Sequence, residues 1–182
     1  MTILALDRVA CVRGGRVLFE DLSLRLEPGA AALVTGPNGV GKSSLLRIAA
    51  GLLAPAAGTV TAARAALADG RSALDPELPL GRALGFWGAT DAEVLADFGL
   101  TTLVEVPVRL LSTGQRQRAA LARVAMEDAA SLWLLDEPAN GLDAAATAVL
   151  EHHIARHRTS GGAVMVATHI PVALPGSVRI SL

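Results

Sequence analysis

Apolar and polar residues alternate along residues 1–29, as they do in antiparallel strands that bury one face. The segments LALDRVACV and VLFEDLSLRLEPG both carry this alternation, and Arg13-Gly14-Gly15-Arg16 between them has the composition of a turn. The pattern predicts two or three antiparallel strands. A further strand is expected from Thr59 to Ala66, before a loop-like stretch from Ala68 to Pro79 that contains prolines and polar residues.

Three short apolar runs have the different pattern of strands that are buried on both faces. These runs are AAALVT at residues 30–35, SLWLL at 131–135 and AVMVAT at 163–168. Apolar residues at helical spacing follow the first run, in SSLLRIAAGLL, and recur in residues 80–100. Strands that alternate with helices predict an α/β fold built on a parallel sheet.

The glycine-rich segment between the first run and its helix fits a nucleotide-binding pattern. Gly36-Pro37-Asn38-Gly39-Val40-Gly41-Lys42-Ser43 matches G-x-x-x-x-G-K-[ST] at every fixed position, and Lys42 is the only lysine among 16 lysines and arginines. The glycines let phosphate oxygens approach the backbone, and a compact ammonium suits the gap between the β- and γ-phosphates better than a planar guanidinium. The alternative is a glycine-rich turn that happens to contain a lysine, and it leaves the flanking strand and helix unexplained.

Two serines follow this lysine. Ser43 is expected to place its hydroxyl on Mg²⁺. Ser44 belongs to the same nucleotide-binding segment, where a polar role at the helix N-terminus suits it better than a second bond to the metal. The segment predicts that the chain binds a nucleoside triphosphate, with ATP as the expected nucleotide and Mg²⁺ as its cofactor.

Composition excludes several other kinds of protein. At 182 residues the chain has the size of one domain, and a net charge of −1 provides no basic field for nucleic acid. Cys11 is the only cysteine, so no internal disulfide is expected and the residue is predicted to be a small buried hydrophobe. Charges or glycines interrupt the alanine-rich stretches, so no membrane span is expected. The segment MTILALDRVAC lacks a basic region followed by an apolar one, so no signal peptide is expected either.

Two segments in the second half of the chain carry further candidate chemistry. Leu111-Ser112-Thr113-Gly114-Gln115 precedes a predicted helix, and by itself it would be an ordinary helix N-cap. Further along, the apolar run at residues 131–135 delivers Asp136 and Glu137 side by side. One carboxylate at such a strand end can hold Mg²⁺ and the next can polarise an attacking water, although a strand that ends in a polar turn has the same composition.

With these motifs in this order, the chain resembles the ATP-binding subunits of ABC transporters. LSTGQ at residues 111–115 is similar to the signature motif of the family, and LLDEP at residues 134–138 is similar to its extended Walker B motif. Asn140-Gly141-Leu142-Asp143 resembles the D-loop, and Thr168-His169 resembles the segment that carries the switch histidine. Five motifs in register make this resemblance specific.

The resemblance implies an α/β fold of the P-loop NTPase (RecA-like) type. Its parts are a parallel sheet core, an N-terminal antiparallel β subdomain and a short helical subdomain. The resemblance implies a single ABC ATPase domain over residues 1–182, with the core at about 1–66 and 131–182 and the helical subdomain at about 67–130.

The resemblance also implies a mechanism in which two copies pack head to tail. Ser112, Gly114 and Gln115 of one copy would contact the ATP that the P-loop of the other copy holds. The remaining implied roles are Glu137 as general base, Ser43 and Asp136 around Mg²⁺, His169 as a sensor of the γ-phosphate, and Asp143 at the nucleotide site. The implied partners are integral membrane permease subunits, which place the protein at the cytoplasmic face of the bacterial inner membrane as a peripheral subunit.

Two positions depart from the pattern of the family. Most relatives have an aromatic residue that stacks on adenine shortly before the P-loop, whereas this chain has no tyrosine and has Arg13 at the matching position. A guanidinium can stack on the base, or Val12 and Leu18 can supply an apolar contact. The glutamine of the family's Q-loop is also missing, and Asp69-Gly70-Arg71 occupies its region.

Within the family, the strings RGGRVLFEDLSLRLEPG and ALDPELPLGRALGFW look most like the haem-exporter ATPases of cytochrome c maturation. The alternatives are the ATPase of another small ABC exporter or importer, and a soluble P-loop enzyme such as a kinase. No haem ligand motif is present. His152, His153 and His157 lie on a predicted helix, where His153 and His157 have the i,i+4 spacing of metal ligands. Because no carboxylate or cysteine partner accompanies them, a solvated helix face is the expected environment.

Overall fold

A five-stranded parallel sheet forms the centre of the molecule in a computed structural model that describes residues 2–69, 73–88, 91–127 and 129–182. The strand order is β5-β6-β7-β3-β8. In chain order the strands are β1 Leu4–Arg13, β2 Arg16–Leu26, β3 Ala31–Thr35, β4 Ala57–Ala62, β5 Ala65–Ala68, β6 Leu132–Asp136, β7 Ala163–Ala167 and β8 Val178–Ser181. The helices are α1 Lys42–Ala49, α2 Leu80–Gly85, α3 Ala92–Asp97, α4 Thr113–Ala125 and α5 Ala144–Thr159, with 3₁₀ turns at Thr101–Leu103 and Val108–Leu110.

The three apolar runs form the three adjacent inner strands of this sheet, as predicted. In β6, Trp133 and Leu135 face one apolar core, which α4 and α5 cover, while Leu132 and Leu134 face a second core under α1 and the antiparallel sheet. Both faces of each strand are therefore buried, which explains why these segments are apolar without interruption. The predicted α/β class is confirmed.

The N-terminal alternation forms a separate antiparallel sheet in the order β2-β1-β4. The turn predicted at Arg13-Gly14-Gly15-Arg16 joins β1 to β2, and Cys11 is buried as expected. The single strand predicted from Thr59 to Ala66 is wrong. β4 pairs antiparallel with β1, whereas β5 pairs parallel with β6 in the central sheet. One straight strand cannot serve both sheets, so the chain changes direction at Ala63 and Arg64.

The helical spacing of residues 80–100 corresponds to two short helices rather than one long helix. α2 ends at Gly85, and Asp91 begins α3 by accepting hydrogen bonds from the backbone N–H groups of Glu93 and Val94. Residues 80–125 supply the helices that pack over one face of the central sheet. β5 at residues 65–68 belongs to the central sheet, across the boundary that the resemblance placed between residues 66 and 67.

The solvated helix face expected for the histidines of α5 is wrong for two of them. His153 is 1% exposed; its Nε2 lies 3.0 Å from Oδ2 of Asp97, and its ring stacks on Phe98. The ring of His157 stacks on Trp133 with 4.0 Å between the centroids, and only a glycine fits at residue 162, where a Cβ would collide with the His157 ring. Both histidines therefore pack against aromatic rings. Burial lowers the pKa of each, which favours the neutral ring.

Candidate nucleotide-binding site

The P-loop joins the carboxyl end of β3 to the N-terminus of α1, as the motif requires. Gly36 has φ of 144° and a Cβ there would lie 2.7 Å from the carbonyl oxygen of Leu182. Gly41 has φ of 122° and a Cβ there would lie 3.1 Å from the ring of Phe19. Left-handed backbone and close neighbours both exclude a side chain at these two positions, so the loop depends on glycine.

Lys42 folds back over the loop that precedes it. Its Nζ donates hydrogen bonds to the carbonyl oxygens of Gly36 at 2.8 Å and Pro37 at 3.2 Å, and the residue is only 7% exposed. The ammonium is therefore held at the mouth of a loop whose glycines permit close approach of an anion. A phosphate oxygen can replace these carbonyl groups as the partner of the ammonium.

The P-loop and the carboxyl end of β6 enclose one cavity of about 290 Å³. Its lining includes most of the predicted P-loop residues and both carboxylates of the Walker B segment. The lining residues are Leu18, Asn38, Gly39, Gly41, Lys42, Ser43, Ser44, Asp136 and Glu137. Strand β6 thus brings Asp136 and Glu137 to the P-loop that follows β3, because all the strands of a parallel sheet have their carboxyl ends at the same edge.

Asp136 and Ser43 face each other across this cavity. The Ser43 hydroxyl hydrogen bonds to the Asp136 carboxylate, which lowers the pKa of Asp136, but burial and the nearby charge of Glu137 outweigh this and raise that pKa above its ordinary value. The half-buried carboxylate of Asp136 and the hydroxyl of Ser43 together provide hard oxygen ligands for a metal ion. Mg²⁺ takes one or two such protein ligands and fills the rest of its shell with phosphate oxygens and water, so this pair fits the ion.

Glu137 occupies a constrained backbone position directly after β6. Its φ is 49°, in the left-handed region, and its N–H donates to the Ala167 carbonyl oxygen at 2.7 Å. Burial alone would raise the pKa of Glu137, but hydrogen bonds from the His169 ring, the His169 N–H and Thr168 outweigh it, so the pKa lies below its ordinary value. The carboxylate is consequently ionised at neutral pH and able to accept a proton.

The signature segment lies at the start of α4 and does not line this cavity. Ser112 is the N-cap of α4: its hydroxyl accepts from the Gln115 N–H, while the Gln115 side chain accepts from the Ser112 N–H at 2.8 Å. Ser112 is exposed, and Gly114 and Gln115 are partly so. Asp143 similarly caps α5 by accepting from the Ala146 N–H. The structure therefore brings the P-loop and Walker B residues together and leaves the signature facing outward.

The two departures from the family pattern have different outcomes. Leu18 lines the cavity, whereas Arg13 is an exposed residue at the end of β1 and is not among the lining residues. The apolar contact is thus the option that the cavity geometry supports. In the Q-loop region, Asp69 pairs with Arg47 at 2.8 Å, while Gly70 and Arg71 lie outside the described residues.

Two residues of the site have a role that sequence reasoning did not assign. Thr168 hydrogen bonds to the side chain of Glu137, and Gln117 donates to the backbone just after it. Thr168 adjoins the switch histidine, so its position in the motif was an available signal. No sequence signal pointed to the role of Gln117, because its contacts join it to Glu137 and Pro138, which are 20 and 21 positions away.

The described residues contain neither a group of three or more metal-ligating side chains nor a helix with the length and apolar character of a membrane span.

Together, the parallel sheet, the P-loop at its carboxyl edge and the paired carboxylates define a P-loop nucleotide-binding protein. The family profile of ABC transporters matches residues 19–140.

Comparison with known proteins makes the assignment narrower. The chain is 56% identical to the cytochrome c biogenesis ATP-binding export protein CcmA of Sphingopyxis alaskensis, over 95% of this chain and 93% of the relative. The protein of the same name from Novosphingobium aromaticivorans is 54% identical over 91% of this chain and 88% of its own length. A solved ATP-binding subunit of an ABC transporter has the same fold, with a TM-score of 0.85 at 21% identity, over 93% of this chain and 80% of that structure. The chain belongs to the ATP-binding subunits of ABC transporters and, within them, to the family of these cytochrome c biogenesis export proteins.

Proposed function

We propose that this protein is the ATP-hydrolysing subunit of a haem exporter in cytochrome c biogenesis. The observation that carries the proposal is the convergence of Lys42, Asp136 and Glu137 on one cavity, with His169 bonded to Glu137. The names of the relatives supply the process, and the site supplies the chemistry. Haem as the moved species rests on the resemblance alone.

The residues of the cavity supply the phosphate-binding, metal-binding and proton-accepting groups for ATP hydrolysis. Lys42 and the loop N–H groups hold the β- and γ-phosphates, and Leu18 contacts the adenine. Ser43 and Asp136 would hold Mg²⁺, which would neutralise phosphate charge. Glu137 accepts a proton from the water that attacks the γ-phosphorus, and the bond from that phosphorus to the bridging oxygen breaks to release ADP.

The outward-facing signature supports a site that two subunits complete. Ser112 and Gly114 stand at the N-terminus of α4, a helix of 13 residues whose first N–H groups attract an anion. Since they do not line the cavity of their own subunit, they are available to the γ-phosphate of a second copy packed head to tail. ATP then closes this dimer, and its hydrolysis allows the dimer to reopen.

A second cavity suits a membrane partner. It measures about 550 Å³, and its lining includes Leu52, Trp87 and the Arg47–Asp69 ion pair. Phe86, which is 80% exposed, lies edge-on to Trp87 at its rim. Exposed aromatic and aliphatic side chains next to paired charges are typical of a protein-binding groove. We place integral permease subunits here, which would hold the protein at the cytoplasmic face of the inner membrane.

Two experiments test these proposals. The first mixes a Lys42→Ala subunit with a Ser112→Arg subunit, each inactive alone. In a head-to-tail heterodimer one composite site carries both changes and the other carries neither, so each heterodimer should have about half the activity of an unmodified dimer if the sites are independent, and an equal random mixture about a quarter. No recovery, with activity of the unmodified protein intact, would contradict the two-subunit site.

The second experiment addresses the partner. The tagged protein is expressed in its native host, and it is captured from membranes solubilised in detergent. Phe86→Ser/Trp87→Ser is the variant, and Arg16→Ser on the distant hairpin is the control. The unmodified protein and the control should retain the same integral membrane protein, identified by mass spectrometry, and the variant should lose it. Equal recovery in all three would place the partner elsewhere.

A further inference from the structure

The signature helix α4 contacts the catalytic turn of its own subunit at two points. The side-chain amide of Gln117 donates to the Pro138 carbonyl oxygen at 3.0 Å and approaches the Glu137 carbonyl oxygen at 3.5 Å. Gly114 approaches the other end of the turn so closely that a Cβ there would lie 3.0 Å from the Gly141 carbonyl oxygen. The turn that begins with the general base therefore rests against the helix that begins with the signature.

Glu137 needs such support because its backbone is strained. A non-glycine residue at φ of 49° keeps that conformation only where its surroundings fix it. Its N–H is fixed by the Ala167 carbonyl oxygen, and its carboxylate is fixed by His169. The Glu137 carbonyl oxygen also accepts from the Asn140 N–H at 3.1 Å, whereas the carbonyl oxygen of the next residue, Pro138, has the Gln117 amide as its donor among the described hydrogen bonds.

The chemistry of Gln117 suits this task. The Pro138 carbonyl oxygen needs a donor, and the amide NH₂ of Gln117 offers one hydrogen to it and a second in the direction of the Glu137 carbonyl oxygen. The side chain is half-buried, so water competes only weakly for these carbonyl groups. The neighbouring Arg118 also donates to a backbone carbonyl, that of Phe98, but this bond fastens α4 to the end of α3 and not to the catalytic turn.

We propose that Gln117 is a positioning residue that holds the catalytic turn of its own subunit, and so sets where the Glu137 carboxylate meets the attacking water. This inference rests on the proposed function, in which Glu137 is the base. It assigns to the signature helix a second task besides its contact with the ATP of the partner. Gln117 itself is not among the residues that line the nucleotide cavity.

The first test separates positioning from binding through kcat and KM. Gln117→Met keeps an unbranched chain of similar length but removes the donor, and it should lower kcat about tenfold while KM for ATP changes less than about twofold. Gln117→Lys restores a donor and should recover most of kcat. Arg118→Met removes a comparable bond from the same helix and should lower the thermal midpoint while kcat stays within about twofold.

The second test uses heterodimers captured through two different tags. When Gln117→Met is paired with Lys42→Ala, the one working site uses the base of the Gln117→Met subunit. When it is paired with Ser112→Arg, the working site uses the base of the other subunit and only the signature of the Gln117→Met subunit. Unmodified subunits paired with Lys42→Ala and with Ser112→Arg are the references.

Action within the subunit predicts a loss of about tenfold in the first pair and activity near its reference in the second. The reverse result would mean that Gln117 acts through the signature on the partner's ATP, and the proposal would fall. Equal losses in both pairs, or no rescue by lysine, would show a merely structural role and also overturn it. If the reference pairs have no activity, the two-subunit site itself has failed, which leaves the kcat and KM of the Gln117 homodimers to decide on positioning.

Discussion

Nδ1 of His169 lies 2.9 Å from Oε2 of Glu137, and the backbone N–H of His169 donates to the same oxygen at 3.2 Å. His169 thus bonds to one carboxylate oxygen of Glu137 through both its ring and its backbone N–H. These two bonds fix the orientation of the Glu137 carboxylate at the cavity, and so the direction from which the attacking water is deprotonated in the proposed reaction.

Replacing Glu137 by glutamine should separate binding from chemistry. Glu137→Gln keeps the size of the side chain but cannot accept the proton, so turnover should fall about 10²-fold or more while affinity for Mg²⁺-ATP is retained. The ATP-bound protein should then accumulate as a dimer in size-exclusion chromatography. A monomer with unchanged turnover in saturating ATP would exclude Glu137 as the base.

Removal of the His169 ring should shift the acid side of the pH–rate profile. Burial, the largest influence on the pKa of Glu137, raises that pKa and remains in His169→Ala. The hydrogen bond from the His169 ring, which lowers the pKa of Glu137, is lost. The pKa of Glu137 should therefore rise, and the acid limb of kcat should move to higher pH. His152→Ala, an exposed histidine on α5, is the control and should leave that limb in place.

Substitutions of Lys42 should show that charge alone is insufficient at this position. Lys42→Ala removes the ammonium that compensates the β- and γ-phosphates, so ATP binding or hydrolysis should be abolished. Lys42→Arg restores the charge, but its wide fork does not fit among the Gly36 and Pro37 carbonyl groups that hold the ammonium, so activity should also be lost. Fluorescent-nucleotide binding and phosphate release measure both effects. Near-normal turnover in the arginine variant would contradict the role of Lys42.

The contact with adenine can be assigned by comparing Leu18 with Arg13. Leu18→Ala should raise KM for ATP several-fold, about as expected for the loss of a buried aliphatic contact, and should leave kcat nearly unchanged. Arg13→Ala should have the smaller effect, because Arg13 is exposed and Leu18 lines the cavity. If Arg13→Ala has the larger effect on KM, the guanidinium stacks on the base.

The buried histidines should make the protein sensitive to acid. Burial lowers the pKa of both His153 and His157 below the ordinary value of about 6.5, with Asp97 opposing the shift at His153 and the cation of Arg156 adding to it. The unfolded chain therefore binds more protons than the folded one, and stability should fall as the pH drops through about 6.5. Thermal midpoints measured from pH 8 to pH 5 should show this fall. The double variant His153→Gln/His157→Gln should show a flatter dependence, whatever its stability at pH 8.

Much of the site could be predicted because it is local in sequence. The P-loop residues are consecutive, and Asp136 and Glu137 directly follow a recognisable strand. The division between β4 and β5 could not be predicted, because the chain turns at Ala63 and Arg64 without a glycine or proline. The packing of His153 and the bond from Gln117 depend on partners brought close by the fold, 56 residues away for Asp97 and 21 for Pro138.

Because Lys42 is the only lysine and is 7% exposed, the protein has an unusual chemical surface. Every basic side chain that meets solvent is a guanidinium or an imidazole, so amine-selective reagents find no target on the outside other than the N-terminus. The ε-amine that such a reagent can reach lies where ATP is held. Acylation at that single nitrogen, distinguished from acylation of the N-terminal amine by peptide mapping, would thus count vacant nucleotide sites with no engineered probe.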